Sequence, residues 1–263
     1  MSEATAKTGS SRKKAARKPS PKKTRVSRRN TESRKKFLDS AEMLFAEHGY
    51  EGTKIRAIAD HSEVNLGALH HYWGSKEELF FEVCNTRLGP MNQERMLRFD
   101  ELEKNKKKGK PVDIKELFKA AIEPTFFLLE NSKKEQVIFR KFYGRVMTEP
   151  SEIVNTVMRK LFSPVSSRFF SLLRENCPHL SDDEFYWRAT SILGTFIYAP
   201  AYISRIQFYA HKGFDVKNVD FGINQIVDFL SAGMLAPSTA TATAKSIKNN
   251  GALQTLHLYD FLN

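Results

Sequence analysis

A run of eight residues, Asn65-Leu66-Gly67-Ala68-Leu69-His70-His71-Tyr72, gathers the side chains best suited to contact a polyanion. His70 and Tyr72 can donate hydrogen bonds to phosphate oxygens. His71 can donate to a phosphate or to a guanine edge. The Ala68 methyl matches a thymine methyl, and Gly67 and Ala68 let a backbone approach a duplex closely. Thr53 and Lys76 flank the run with a further hydroxyl and a further cation. Adjacent histidines also raise metal binding, but neighbours on a helix diverge by ~100°, and no Cys or carboxylate joins them at ligand spacing. No metal and no cofactor are expected.

Local helix signals position these groups. Ile55, Ile58 and Ala59 form an apolar stripe after Thr53, His61-Ser62-Glu63 interrupts it, and Val64 can plug the turn. Asn65 is a good N-cap for the next helix, along which Leu69 and Trp73 point inward four residues apart. Gly74 ends that helix, and Ser75 with Glu78 forms an S-x-x-E capping box for a third. The pattern is that of a helix-turn-helix, whose second helix enters the major groove of duplex DNA. Thr53 and Ser75 serve equally well as plain helix caps, and Tyr72 as a core side chain.

Upstream, Thr31 to His48 reads as a helix with Phe37, Leu38, Ala41, Leu44 and Phe45 on one face, Thr31 as N-cap and Gly49 as C-cap. Arg34, Lys35 and Lys36 crowd its first turn, the wrong sign for the helix dipole, which either a nearby polyanion or ordinary tolerance of surface charge explains.

Charge is unevenly placed. The chain of 263 residues has a formal net charge of +12, yet residues 1–30 hold 11 basic residues and one acid, against 31 basic and 29 acidic in the remainder. The first thirty residues are too polar to fold alone and read as a disordered basic arm able to contact phosphates or merely to solubilise. They lack the apolar segment of a secretory signal, and no run approaches the ~20 apolar residues of a membrane helix. Cys84 and Cys177 are isolated, as in a reduced, cytoplasmic protein.

Beyond residue 83 the texture is helical and aromatic, with no strand alternation, so the fold class is all-α. Gly89-Pro90 suggests a kink or end, residues 103–111 a cationic loop, and Pro164 a break. Helices are expected over Ile114–Leu129, Val137–Met147, Ile153–Leu173, Glu184–Ala210 and Val219–Leu235, and STATATA at 238–244 reads as a linker. The expected layout is an arm (1–30), a DNA-binding domain (31–83), a larger helical body (84–236) and a flexible tail (237–263).

Residues 31–83 resemble the three-helix head of the tetracycline-repressor (TetR) family of transcriptional regulators. The resemblance rests on Thr53-Lys54-Ile55-Arg56-Ala57-Ile58-Ala59, on Val64 through Trp73, and on Ser75-Lys76-Glu77-Glu78-Leu79. It departs at His70, where a phosphate-contacting Tyr is usual, at Trp73 in place of Phe, and at Leu66 where a polar residue is frequent. Arg145 through Pro150, Leu161 through Val165, Arg168-Phe169, Pro178 through Ser181 and Phe185 through Arg188 more faintly resemble the fatty-acid-responsive branch.

The resemblance implies a DNA-binding regulator acting as a homodimer on a palindromic operator, with Arg34, Thr53, Lys54, Asn65, Leu66, Gly67, Ala68, His70, His71, Tyr72 and Lys76 at the DNA. The last two helices, with Ser231, Ala232 and Gly233 beside Phe229 and Leu230, are the expected dimer face. Phe126, Phe142, Phe169, Trp187, Tyr198 and Tyr202 are candidates to line an effector pocket, together with Phe127 and Phe139. Arg145 and Arg188 would meet the acidic end of a fatty acid or acyl-CoA, or else pair internally with Glu149 or Glu184. Two other function classes compete. One is an architectural DNA binder relying on the arm. The other is a lipid- or acyl-handling hydrolase, against which stands the lack of G-x-S-x-G, H-E-x-x-H, P-loop or a spaced carboxylate pair.

Overall fold

Nothing between Lys22 and His48 can stop a helix: the stretch has no Gly and no Pro, and Lys, Arg, Glu, Ala and Leu are strong helix formers. Pro21 suits a first turn because its φ is preset and its missing N–H is not needed there. The first helix, α1 (Pro21–Gly52), accordingly begins ten residues before the expected cap, and Thr31 is interior to it. Residues 21–30, expected to be disordered, are its opening turns. In the computed structural model the described residues are 21–130, 133–210, 214 and 218–239, and the arm before Pro21 and the tail after Thr239 lie outside them.

The order continues with α2 (Ile55–Ser62), α3 (Gly67–Tyr72), α4 (Lys76–Lys107), α5 (Ile114–Glu130), α6 (Lys133–Val146), α7 (Glu152–Asn176), α8 (Asp182–Tyr202), a 3-10 segment (Ile203–Phe208) and α9 (Val219–Leu235). Among the described residues all regular structure is helical, as the sequence texture predicts. Prolines break less than expected. Pro90, Pro124, Pro164 and Pro200 all sit inside helices, each removing one ladder bond while the packed faces continue. The cationic loop therefore shrinks: α4 runs through Gly89-Pro90 to Lys107. A short turn with Gly109 at φ 85° then leads to Asp113, whose carboxylate accepts from the amides of Lys115 and Glu116 at 2.7 and 3.2 Å.

Burial divides the molecule in an unexpected place. One core joins Phe37 and Phe45 of α1, Ile58 of α2, and Leu79, Phe80 and Val83 of α4 to Phe142 and Val146 of α6 and Val154, Val157 and Met158 of α7. The second core gathers Phe99, Leu117, Phe118, Phe169, Leu173, Phe185, Ile192, Ile223, Val227 and Leu230. The expected boundary at residue 83 is thus no packing boundary, because the head rests on α6 and α7 through continuous apolar contact.

Candidate nucleic-acid interface and ligand cavity

The helix-turn-helix is closed by local hydrogen bonds. Glu63, at φ 56°, occupies the left-handed region and ends α2, its amide reaching the carbonyls of Ala59 and Asp60. Val64 packs on the head core, plugging the turn. The Asn65 carboxamide oxygen accepts from the Gly67 amide at 2.8 Å and starts α3. Ser75 accepts from the Glu78 amide at 3.1 Å and starts α4. Trp73 is buried against Phe37 with ring centroids 5.4 Å apart, which fixes α3 on α1.

This packing sorts the expected DNA contacts. Asn65, Gly67, His70 and His71 lie exposed along α3, and Lys54 is exposed at the start of α2. Leu66 is half-buried against the head core. The side chains of Ala68 and Leu69 are outside the described set, as is that of Phe127. His70 Nδ1 donates to the Gly74 carbonyl at 3.2 Å, so its Nε2 can donate to a phosphate only as the imidazolium.

Four expected contacts are directed elsewhere. Thr53 is 2% exposed, and its hydroxyl donates to the carbonyls of Gly49 and Leu44 at 2.6 and 3.1 Å, tying α2 to the end of α1. The Tyr72 hydroxyl donates to the Asn30 carbonyl at 3.2 Å. Lys76 places its ammonium 4.1 Å from the Tyr50 ring centroid, and burial lowers its pKa against the pull of Glu51 and Glu149. Arg34 pairs with Glu82, which also accepts from the Trp73 indole, and its guanidinium lies 5.6 Å from that ring. These groups hold the head together. Arg56, exposed in the first turn of α2, is a further cation of the head that hydrophobic spacing did not single out.

In the body, α4 to α8 line a cavity, partly open to solvent, whose wall includes Phe99, Tyr143, Met147, Phe162, Phe169, Phe170, Leu193 and Phe196. Its cation is Arg95, which is buried. Arg95 donates to the Ala121 carbonyl at 2.6 Å, the Asn92 carboxamide at 3.0 Å and the Thr125 hydroxyl at 2.6 Å. Ser166 adds a hydroxyl, and Tyr143 donates to the Phe196 carbonyl at 3.0 Å.

Of the eight expected ligand contacts, Phe169 alone lines this cavity. Phe142 belongs to the head-side core and Phe126 to the body core. Phe139 also packs in the head-side core. Trp187 is 75% exposed, and Tyr198 is exposed beside Tyr202. Arg145 is exposed and reaches the Glu47 carbonyl at 3.2 Å. Arg188 caps the end of α9, donating to the carbonyls of Gly233, Ala236 and Pro237 at 3.0, 2.7 and 2.9 Å. Neither arginine lines this cavity or makes the expected glutamate pair. The signal that finds Arg95 is its place in a stripe: it falls four residues after Met91 and four before Phe99, both buried.

The outer faces of α8 and α9 carry Trp187, Tyr198, Phe221 and Phe229 exposed, and Gly194, Gly222 and Gly233 open onto empty space. Leu230 and Ser231, expected on the dimer face, turn inward and are buried.

A helix-turn-helix head fused to a larger helical body is the architecture of a DNA-binding transcriptional regulator. Residues 37–83 match the family described as bacterial regulatory proteins, tetR family. Residues 119–233 match the tetracyclin repressor-like C-terminal domain. The chain belongs to the TetR family. It is 41% identical over 54 residues to the HTH-type transcriptional repressor AcnR of Corynebacterium glutamicum, which is 20% of this chain and 29% of that one. It is 42% identical over 50 residues to the repressor KstR2 of Rhodococcus jostii, 19% of this chain and 24% of that one. The match thus spans less than a third of the length of these curated relatives. Among solved structures, the TetR-family regulator PfmR of Thermus thermophilus aligns with a TM-score of 0.50 at 17% identity, over 74% of this chain and 92% of that one. A Clostridium perfringens protein, provisionally assigned as a fatty acid metabolism regulator, gives 0.52 at 22% identity over 76% and 99%. Both likenesses concern the fold alone. No helix among the described residues is long and apolar enough to cross a membrane.

Proposed function

We propose that this chain is a cytoplasmic transcriptional repressor without catalytic activity. It binds a palindromic operator in duplex DNA as a homodimer and is released by an amphipathic acidic effector, such as a fatty acid or acyl-CoA. The observation that carries the reading is the exposed polar edge of α3, Asn65, Gly67, His70 and His71, presented by a helix whose other side is fixed by Trp73. Such a short helix reads few base pairs, so specificity calls for a second copy related by two-fold symmetry.

The apolar outer faces of α8 and α9 support the dimer, since an aromatic patch of this kind on a soluble chain marks an interaction surface. The cavity supports the effector class. Its wall is mostly aromatic and aliphatic, and Arg95 brings one cation to it, a combination suited to an apolar chain with an acidic end. Effector control requires different affinity for two spacings of the heads.

The test is a gel shift on DNA upstream of the chain's own gene, with a scrambled duplex as control, with and without decanoate, oleate and palmitoyl-CoA. The reading expects a discrete complex on the upstream fragment that one of the acids dissolves. Equal binding to the scrambled duplex contradicts the repressor assignment. A sequence-specific complex indifferent to all three acids contradicts the effector class.

A further inference from the structure

Where the head meets the body, the geometry points to Glu149 as a positioning residue. Its carboxylate locks the angle of the helix-turn-helix head on the body and transmits the state of the cavity to it. The inference rests on the repressor reading for its functional consequence, and on the seam's geometry for the lock itself.

On the head side the lock begins at Gly49. At φ 72° this residue leaves the helical path inside α1, so the amides of Tyr50 and Glu51 lose their ladder partners and become first-turn donors. Glu149 supplies the acceptors. Its two oxygens receive the Tyr50 amide at 3.0 Å and the Glu51 amide at 3.2 Å. A carboxylate on two backbone N–H groups is a charge-assisted pair of bonds with a defined direction. The fit requires glycine: a Cβ on residue 49 would fall 2.6 Å from a Glu149 oxygen. Ser151 fastens the same corner, its hydroxyl donating to the Glu51 carboxylate at 2.8 Å.

On the body side Glu149 lies one short turn past α6, and the end of that helix with its turn faces two ways. Tyr143 and Met147 line the cavity. Arg145, between them, reaches the Glu47 carbonyl of α1 at 3.2 Å. The Glu149 amide itself closes on the Arg145 carbonyl at 2.9 Å, so the carboxylate is carried by the end of α6 rather than by a loose loop. Nor can α6 yield toward α8. A Cβ on Gly144 would lie 2.6 Å from the Tyr202 hydroxyl, so the two helices already touch there. A ligand that displaces Tyr143 or Met147 therefore moves Glu149, and with it the α1–α2 corner from which α3 is hung.

The test uses the full chain and four variants: Glu149→Ala, Glu149→Gln, Gly49→Ala, and Gly49→Ala with Glu149→Ala. Operator duplex is recovered by selection from random sequence with the wild-type protein. Binding is read by fluorescence anisotropy, and the lock by hydrogen exchange at the Tyr50 and Glu51 amides. Glu149→Ala is expected to weaken operator binding about tenfold, the factor that 1.4 kcal/mol represents. Its melting temperature is expected to fall by no more than ~4 °C. Exchange at both amides accelerates in Glu149→Ala, and by less in Glu149→Gln, which keeps one acceptor. Because Gly49 and Glu149 act through one contact, the double variant binds no worse than the weaker single variant.

Unchanged exchange at Tyr50 and Glu51 in Glu149→Ala overturns the lock. Wild-type operator affinity in that variant, or losses that multiply in the double variant, overturns its positioning role. If the wild-type protein selects no sequence, the repressor reading falls, and the exchange measurement still decides the lock.

Discussion

The two cores handle their aromatic rings differently. In the head, Phe80 meets Phe45 and Tyr50 edge-on at 5.0 and 4.9 Å, and all three rings are buried. In the body, Phe99, Phe169, Phe170 and Phe196 border a cavity partly open to solvent. Close packing resists deformation, whereas rings around a void can rearrange at small cost. On the proposed function, the head holds α3 in one geometry and the body accepts a change of state. The shared apolar contact through α6 and α7, with Glu149 at its edge, joins the two.

The sharpest way to break that contrast is to truncate one ring on each side. Phe80→Ala should destabilise the chain by about 3–5 kcal/mol, read by urea unfolding, because a fully buried ring leaves a hole that cannot collapse. Phe196→Ala, at a half-buried ring already bordering space, should lose less than half as much. Equal losses would mean that the body is as tightly set as the head.

A next smaller effect concerns the outer face. Phe229 is 75% exposed, so Phe229→Ala should leave monomer stability intact. As an interface anchor it should raise the dimer dissociation constant by roughly 30-fold, about 2 kcal/mol, in sedimentation equilibrium. An unchanged constant would remove this face from the dimer.

Asn65 separates the cap from the reader. Asn65→Ala should cost about 1 kcal/mol through the lost bond to the Gly67 amide. Asn65→Asp keeps that acceptor and adds a negative charge facing the duplex. It should melt like the wild type yet bind operator more weakly, and equal binding would take Asn65 off the DNA face.

The smallest effect is pH-dependent and belongs to the body. The Ser238 hydroxyl, then the Ser181 and Thr239 amides, hold the Glu184 carboxyl from its ordinary 4.5 down to about 2. A depressed carboxyl stabilises the fold above pH 4.5, and that contribution fades as pH falls toward about 2. The Thr239 amide resonance should titrate with a midpoint near the lower value. A midpoint at 4.5 would mean that the segment after α9 is not held there.

The legibility of the chain follows the same division. Local signals carried the head: the Asn65 and Ser75 caps, the Val64 plug and the inward Trp73 all follow from spacing within a few residues. What misled were signals that tertiary packing overrides. Pro90 and Pro164 read as interruptions, but each lies in a helix whose buried face continues past it. Thr53 and Tyr72 carry hydroxyls of the right kind, yet each points to a carbonyl of α1. The Tyr72 partner, 42 residues away, cannot be seen from spacing. The cavity was least legible, because residues from α4, α5, α6, α7 and α8 converge on it. Arg95 was hidden by its own helix, since a lone arginine in an apolar stripe acquires meaning only when the wall opposite is known.

The account stands or falls on sequence selection by the α3 edge of a two-fold dimer. The direct measurement is to sequence duplexes that the full chain retains from a random library at moderate salt. The account predicts an inverted repeat whose half-sites lie one helical turn apart, about 10 bp, or a multiple of it. Recovery of duplexes with no common sequence, or of a single half-site with no repeat, would contradict it.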